Sequence, residues 1–194
     1  MTRSSRPSRL ARRITRHRPG LSLVGALSAA VGVGAAFVFG RSPGWATVKR
    51  LIRLQFPDVR RVTTEQLEGW LDDPERQSPL LLDVRAEDEY AVSHLPGAIH
   101  VPPDAGIEEL LASVTEDRPI VAYCSVGYRS SVMARRLREA GFEEVANLEG
   151  SIFQWANEGR PVVRGGEQVE EVHPYDDRWG RLLDRRLHPR GREE

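Results

Sequence analysis

Cysteine is nearly absent from this chain, because Cys124 is the only one among 194 residues. A single thiol excludes an internal disulfide, a zinc cluster built from cysteines and a second cysteine that could resolve an oxidised first one. Lysine is equally scarce, and Lys49 stands beside 27 arginines. The sequence also lacks a Ser-His-Asp arrangement and any metal-ligand spacing, so we expect no metal site.

Acidic residues are missing from the start of the chain and dominate its middle, although the net charge is zero. Residues 1–20 carry seven arginines and no acid, whereas residues 62–163 carry 19 acids against eight arginines, a balance of −11. An acidic body argues against nucleic acid as a partner. The basic head, which we expect to be disordered, is suited to contact membrane lipid.

One long uncharged run is present, and it covers the 20 residues 21–40. A helix of that length spans about 30 Å, the thickness of a bilayer core. We therefore expect a single-pass membrane protein, with a bacterial inner membrane as the first expectation and residues 21–40 as a transmembrane helix or signal anchor. A signal peptide cleaved after Ala46, an organellar transit peptide and a misassigned start codon are open alternatives.

The same segment leads to two further expectations, about orientation and about assembly. The excess of arginine before the segment weakly favours a cytoplasmic N-terminus and an exported domain, while the side of the membrane stays open. Small residues recur every four positions, and this spacing lets two helices approach closely, which indicates a parallel homodimer through the transmembrane helix. The open alternative is chance, since a segment rich in Gly and Ala shows small residues at many spacings. The stripe consists of Ser22, Ala26, Ala30 and Gly34.

Residues 41–58 are predicted to form a juxtamembrane linker helix. Its large apolar side chains fall near one helical face and include Trp45, Val48, Leu51, Ile52 and Phe56. Such a face either lies on an anionic membrane leaflet or packs on the core of the domain that follows.

Short apolar runs alternate with helical patterns over residues 59–163. The predicted strands are 59–62, 80–83, 98–101, 120–123 and 145–148, and the predicted helices are 63–71, 87–93, 107–114, 130–140 and 152–159. This alternation predicts an α/β domain, a parallel sheet with helices on both faces, preceded by the single transmembrane helix. Functional residues of such a sheet lie at the carboxyl ends of its strands, where Asp83 and Cys124 fall. Residues 164–194 are predicted to form a polar linker and an amphipathic tail that docks on the domain or on the linker helix.

The loop from Cys124 to Arg129 joins strand 120–123 to a helix that is predicted to begin at Ser130. Backbone N–H groups at such a junction lack helical acceptors, and the helix dipole adds positive potential, so an anion is favoured there. This setting lowers a cysteine pKa from about 8.5 to about 3.5–7.5, which makes Cys124 a thiolate nucleophile near neutral pH. Gly127 permits a turn with positive φ, and the Arg129 guanidinium adds a planar set of donors.

Three motifs, in this order, resemble the signatures of rhodanese-like sulfurtransferases. They are Asp83-Val84-Arg85, His94-Leu95-Pro96-Gly97-Ala98 and Cys124-Ser125-Val126-Gly127-Tyr128-Arg129-Ser130. The resemblance covers about residues 59–163 and implies a nucleophile at Cys124, with Ser125, Val126, Gly127, Tyr128 and Arg129 binding the substrate. Their backbone N–H groups are expected to stabilise the anionic outer sulfur, and the Arg129 side chain to steer the anionic donor. Asp83 and Arg85 are expected to support the site through hydrogen bonds, and His94 to order a turn.

The reaction implied by this resemblance moves sulfane sulfur from a thiosulfate-like anion to a thiol, cyanide or protein acceptor through a persulfide on Cys124, without a cofactor. Two alternatives from other classes stay open. A membrane-tethered, non-catalytic rhodanese-like binding module would not need the cysteine that this chain retains. A phosphatase or arsenate reductase is less favoured, because related enzymes separate Cys and Arg by five residues and here four intervene.

Overall fold

The computed structural model describes residues 44–103, 106 and 118–190. The predicted basic head, the predicted transmembrane helix with its stripe of small residues and the predicted helix 107–114 lie outside the described residues. Within those described ranges, no helix combines the length and the apolarity needed to cross a membrane.

A five-stranded parallel sheet forms the centre of the domain, with the strand order β1-β5-β4-β2-β3. The strands are β1 Arg60–Val62, β2 Leu80–Asp83, β3 Ile99–His100, β4 Ile120–Tyr123 and β5 Val145–Leu148. Every residue of β2, β4 and β5 is buried, as expected for inner strands of a parallel sheet, which are covered on both faces. The predicted parallel α/β architecture is confirmed. Because β2 and β4 are neighbours, Asp83 and Cys124 come at the same edge of the sheet.

Helices flank this sheet, and in the described part of the chain they are α1 Trp45–Gln55, α2 Thr64–Leu71, α3 Glu87–Val92, α4 Tyr128–Glu139 and α5 Ser151–Asn157. The local sequence sets their ends. At α2 the Thr63 hydroxyl accepts from the Gln66 N–H at 3.1 Å, while the Thr63 N–H donates to the Gln66 side chain at 3.0 Å. This reciprocal cap satisfies two donors that the helix itself leaves unpaired.

The start of α4 differs from the prediction. Gly127 is the N-cap with φ +110°, so the helix begins at Tyr128 instead of Ser130. The loop after β4 therefore covers only residues 124–127, and Arg129 lies in the first turn of the helix. The end of α4 follows its sequence signal, because Gly141 takes φ +103° and the Phe142 N–H donates to the Leu137 carbonyl at 3.1 Å.

Helix α1, within the predicted linker, packs on the domain. Val48, Ile52 and Phe56 are buried in the same core as the sheet, whereas Leu54 is 67% exposed. The Arg53 guanidinium donates two hydrogen bonds of 2.6 Å to the carboxylate of Glu149, which follows β5. The apolar face of α1 is thus covered by protein, as the second of its two interpretations requires.

The chain remains folded beyond residue 163. An antiparallel hairpin, β6 Val162–Arg164 with β7 Glu167–Val169, is followed by two short 3-10 helices, Trp179–Leu182 and Arg185–Leu187. The predicted boundary at residue 163 falls inside the hairpin. The tail closes against the domain through buried apolar side chains, namely Val172, Leu182, Leu183 and Leu187.

Candidate active site

Cys124 occupies the turn between β4 and α4 and is 2% exposed. The Gly127 N–H donates to its Sγ at 3.1 Å, because the positive φ of Gly127 folds the loop back on the sulfur. The Ser130 hydroxyl lies 3.5 Å from Sγ but only 2.6 Å from Asn147 Oδ1. In this arrangement the hydroxyl donates its one proton to the amide oxygen of Asn147. Burial alone would raise the pKa of the Cys124 thiol. The positive charge of Arg129 and the backbone N–H groups of Ser130 and Gly127 outweigh burial and lower that pKa.

Arg129 is already paired. Its guanidinium donates to both carboxylate oxygens of Glu89, at 2.6 and 2.8 Å, and to the Ser125 Oγ at 2.9 Å. Ser125 in turn donates to Glu89 at 2.8 Å, which closes the network across α3, the loop and α4. Burial raises the pKa of Glu89, but the hydrogen bonds and charge of Arg129 outweigh it and lower that pKa. The two groups therefore form a neutral pair beside the thiol.

The first turn of α5 forms hydrogen bonds with the backbone of the loop that carries Cys124. The Ser151 Oγ accepts from the Cys124 N–H at 3.1 Å and donates to the Leu148 carbonyl at 3.1 Å. The N–H groups of Ile152 and Phe153 donate to the carbonyls of Cys124 and Ser125, at 3.1 and 3.2 Å. Donors that a helix leaves unpaired at its start are used here to fix the backbone that carries the nucleophile.

Asp83 and Arg85 lie fully buried beside this loop and form an ion pair of 2.7 Å. The same guanidinium donates to the Ser93 carbonyl at 2.5 Å, so the pair ties the end of β2 to the turn before Leu95. Tyr123 of β4 meets this turn from the other side, because its hydroxyl accepts from the Leu95 N–H at 3.0 Å. Both charges are thus used in contacts within the protein, and their expected role as supports of the site stays a prediction.

His94 lies in that turn and contacts its neighbours. Its N–H and carbonyl bond Val163 of β6 in both directions, at 2.9 and 2.8 Å. Its ring stacks on Tyr90 with 3.9 Å between centroids. This is the arrangement of a residue that orders a turn, as the sequence indicates.

Two side chains of the loop pack against the protein. Val126 is 6% exposed, and Tyr128 packs its ring edge-on to Phe56 of α1, 5.3 Å between centroids. The Tyr128 hydroxyl accepts from Gln55 at 3.3 Å. Binding of an anion by the backbone N–H groups at these positions stays a prediction.

The sequence does not reveal several residues that complete the site. Glu89, Asn147, Ser151 and Tyr175 all come from elements far along the chain from Cys124, and Tyr175 places its ring 4.8 Å from the Arg129 guanidinium. Only Glu89 leaves a local signal, since it caps the start of α3 by accepting from the Ala86 N–H at 3.0 Å. That cap predicts a helix start and says nothing about Arg129.

A metal has no evident place at this site. In the described ranges, no group of three or more His, Cys, Asp or Glu residues is arranged to bind a metal ion.

Comparison with known proteins gives one family. The rhodanese-like domain matches residues 63–158. A sulfurtransferase of Allochromatium vinosum is 34% identical over 105 residues, which cover 54% of this chain and 95% of that protein. The probable adenylyltransferase/sulfurtransferase MoeZ of Mycobacterium tuberculosis is 34% identical over 101 residues, 52% of this chain and 25% of that protein.

Among solved structures, the rhodanese-like domain of an Anabaena protein superposes with a TM-score of 0.50 at 27% identity. The match covers 55% of this chain and 80% of that one.

Several of the curated relatives, MoeZ among them, are longer proteins, and the chain spans 25% to 38% of their length.

Proposed function

The chain belongs to the rhodanese-like domain family, and we propose that it is a sulfurtransferase that carries sulfane sulfur as a persulfide on Cys124. One observation carries the proposal. The only thiol of the chain lies at the carboxyl end of β4 with the Gly127 N–H on its sulfur, and its pKa is lowered. A thiolate in that position is a nucleophile, whereas a cysteine that only fills a core is an inert thiol.

The reaction proceeds in two displacements. The Cys124 thiolate attacks the outer sulfur of a thiosulfate-like donor, a new S–S bond forms, and the old S–S bond breaks so that sulfite leaves with the electron pair. A thiolate or cyanide then attacks the outer sulfur of the persulfide, and the Cys124 thiolate leaves. No redox partner and no general acid are needed, because each leaving group is a stable anion.

In this proposal the donor anion is bound by backbone N–H groups of the loop and not by a free cationic side chain. Arg129 is held by Glu89 and is not free to follow a donor, so its part is to lower the pKa of Cys124 through its charge and to hold Ser125 in place. The N–H groups at the start of α4, together with the helix dipole, supply the positive potential for a sulfite leaving group and for the terminal sulfur of the persulfide. This reassigns the steering of the donor from the Arg129 side chain to the backbone around it.

Two other functions receive less support. A binding module without catalysis has no use for a cysteine of lowered pKa that three elements hold in place. A phosphatase-like reaction needs a loop that encloses a tetrahedral oxyanion, and here the loop is short, with Arg129 already engaged by Glu89.

The test is formation of thiocyanate from thiosulfate and cyanide by the full-length protein. The wild type is expected to turn over, Cys124→Ser to be inactive, and Val132→Ala, at an exposed position of α4, to match the wild type. Thiocyanate formation that survives Cys124→Ser would refute the persulfide. Hydrolysis of phosphate esters that depends on Cys124, without sulfur transfer, would favour the phosphatase alternative.

The location expected from residues 21–40 is part of the proposal. We propose that this uncharged run holds the domain at a membrane, which its length and composition support. The protein should then stay in the membrane pellet after a carbonate wash and leave it when residues 1–40 are deleted. Recovery of the full-length protein in the supernatant would contradict this location.

A further inference from the structure

The C-terminal tail reaches the active-site network through one side chain. Tyr175 lies between the hairpin and the first 3-10 helix, beyond the residues 63–158 that match the family. Its ring faces the Arg129 guanidinium at 4.8 Å, the distance of a cation–π contact. Tyr175 itself is 47% exposed, so burial of an apolar ring does not account for its position.

The backbone of Tyr175 is strained. Its φ is +67°, and the Asp176 N–H donates to the Pro174 carbonyl at 2.9 Å, which makes Tyr175 the centre of a γ-turn with positive φ. Ser151 is the other non-glycine residue with positive φ in the described ranges, and it holds the Cys124 backbone. Such strain persists only where the surroundings fix it, commonly at functional sites.

The surroundings of Tyr175 do fix it. Its N–H donates to the His173 Nδ1 at 3.0 Å, on the near side of the turn. On the far side, the Asp176 carboxylate accepts from the N–H groups of Arg178 and Trp179, at 2.9 and 2.7 Å. Gly180 then packs so closely on Pro174 that an added Cβ would lie 2.9 Å from the proline ring. The tail is thus built to present this ring at one place.

The Tyr175 ring contacts the Arg129 guanidinium, which also forms the ion pair with Glu89. The guanidinium nitrogens donate to Glu89 and Ser125, and the Arg129 Cζ lies over the Tyr175 ring. A guanidinium held by these hydrogen bonds and by an aromatic ring has few other rotamers and little contact with water. Its side chain is accordingly only 23% exposed, although it lies beside the mouth of the loop.

We infer that Tyr175 is a positioning residue of the active site, and that its ring fixes Arg129 against Glu89 and Ser125 so that the guanidinium acts on the Cys124 sulfur. The inference rests on the proposed function in taking Cys124 as the nucleophile. When the ring is removed, water reaches the guanidinium and the side chain can rotate away. Both effects weaken its attraction for the thiolate.

Other charges around the loop do not offer the tail an equivalent target. The charged groups on the packed elements are Arg129 of α4 with Glu89 of α3, Asp83 of β2 with Arg85, and Glu149 after β5 with Arg53 of α1. In each of the last two pairs the two charged groups are bonded to each other. The tail itself adds the Tyr175 phenol, the His173 imidazole and the Asp176 carboxylate, which accepts from the N–H groups of Arg178 and Trp179.

The test measures the rate of alkylation of the full-length protein by iodoacetamide as a function of pH. Because Cys124 is the only cysteine, the midpoint of the curve is the pKa of that thiol. Tyr175→Gly and Tyr175→Ala are expected to raise the midpoint by about half a unit, which lowers the rate about threefold at a pH below both midpoints. Tyr175→Gly also relieves the positive φ, so lost folding stability cannot explain its shift.

Two variants serve as controls. Tyr175→Phe keeps the ring face, and Arg181→Ala alters an exposed residue of the same tail, so both are expected to keep the wild-type midpoint. An unchanged midpoint in Tyr175→Gly would overturn the inference, and so would an equal shift in Tyr175→Phe or Arg181→Ala. Since alkylation needs no sulfur donor, this outcome is independent of whether the protein transfers sulfur.

Discussion

The ion pair of Arg129 with Glu89 changes the role of the arginine beside the thiol. From sequence, Arg129 is a cation that steers an anionic donor, and nothing near it in the chain suggests otherwise. Glu89 lies 40 residues earlier and comes into contact only because α3 and α4 both follow strands that end at the same edge of the sheet. Periodicity predicts both helices well, but it does not predict which side chains they bring together.

Replacement of Glu89 by glutamine tests this pair. Glu89→Gln removes the negative charge that opposes the thiolate and keeps the shape of the side chain, so the pKa of Cys124 should fall further. The protein should also lose about 2 kcal/mol of unfolding free energy, because a largely buried charged hydrogen bond is lost. Alkylation of Cys124 against pH and unfolding in denaturant measure the two effects.

The matched control is Glu87→Gln, an exposed position on the same helix. It should leave the alkylation midpoint and the stability unchanged. A midpoint that moves to higher pH in Glu89→Gln would mean that Arg129 leaves its place without the carboxylate, and the neutral-pair account would be wrong.

At the scale of elements, the sequence predicts what is local and leaves open what is distant. The buried strands β2, β4 and β5 are apolar runs too short for helices, and the ends of α2 and α4 carry their capping residues. The sequence predicts the start of α4 two residues late, because Gly127 acts as its N-cap through a positive φ. An apolar stripe does not name its partner, so the surface that α1 covers could not be predicted.

The docking of α1 gives a prediction about stability. Phe56 is 3% exposed, packs edge-on to Tyr128 and has the Arg135 guanidinium 4.8 Å from its ring. Phe56→Ala should therefore cost about 3–4 kcal/mol of unfolding free energy in lipid-free detergent solution. Leu54→Ala, on the exposed face of the same helix, should stay within about 0.5 kcal/mol of the wild type. Equal effects of the two substitutions would place the apolar face of α1 elsewhere than on the domain.

For the molecule as a whole, carboxyls bonded within the fold determine how stability depends on pH. In the part of the chain that the structure describes, lowered pKa values are found at four carboxyls that are bonded to other parts of the fold: Asp58, Glu89, Glu149 and Glu158. At Glu149 the hydrogen bond and charge of Arg53 outweigh burial. A carboxyl whose pKa is lower in the folded state stabilises the fold fully above its unfolded pKa of about 4. That contribution is lost as the pH falls through the folded pKa.

The unfolding free energy should consequently be nearly constant between about pH 7 and 5.5 and should decrease below about pH 5. Glu149→Gln should make this decrease shallower, whereas the exposed Glu143→Gln should leave it unchanged. Denaturant midpoints measured from pH 7 to pH 3 give the comparison. A wild-type protein that becomes more stable on acidification would show that the bonded carboxyls do not govern its pH dependence.

The order of the motifs and the alternation of strands and helices predict the domain and its nucleophile over residues 59–163. The parts of the chain that flank this range complete the site, and they could not be foreseen. Ile52 and Phe56 support the loop from the N-terminal side, and Tyr175 covers Arg129 from the C-terminal side. Both contributions depend on long-range packing, which a single sequence does not encode in any local pattern.

The central claim is that Cys124 carries sulfane sulfur, and intact-protein mass spectrometry tests it most directly. After incubation with thiosulfate, the wild-type protein should gain one sulfur, about 32 Da, which cyanide or dithiothreitol removes. Cys124→Ser should gain nothing under the same conditions. A wild-type protein whose mass does not change, although its thiol is free to react with iodoacetamide, would contradict the account.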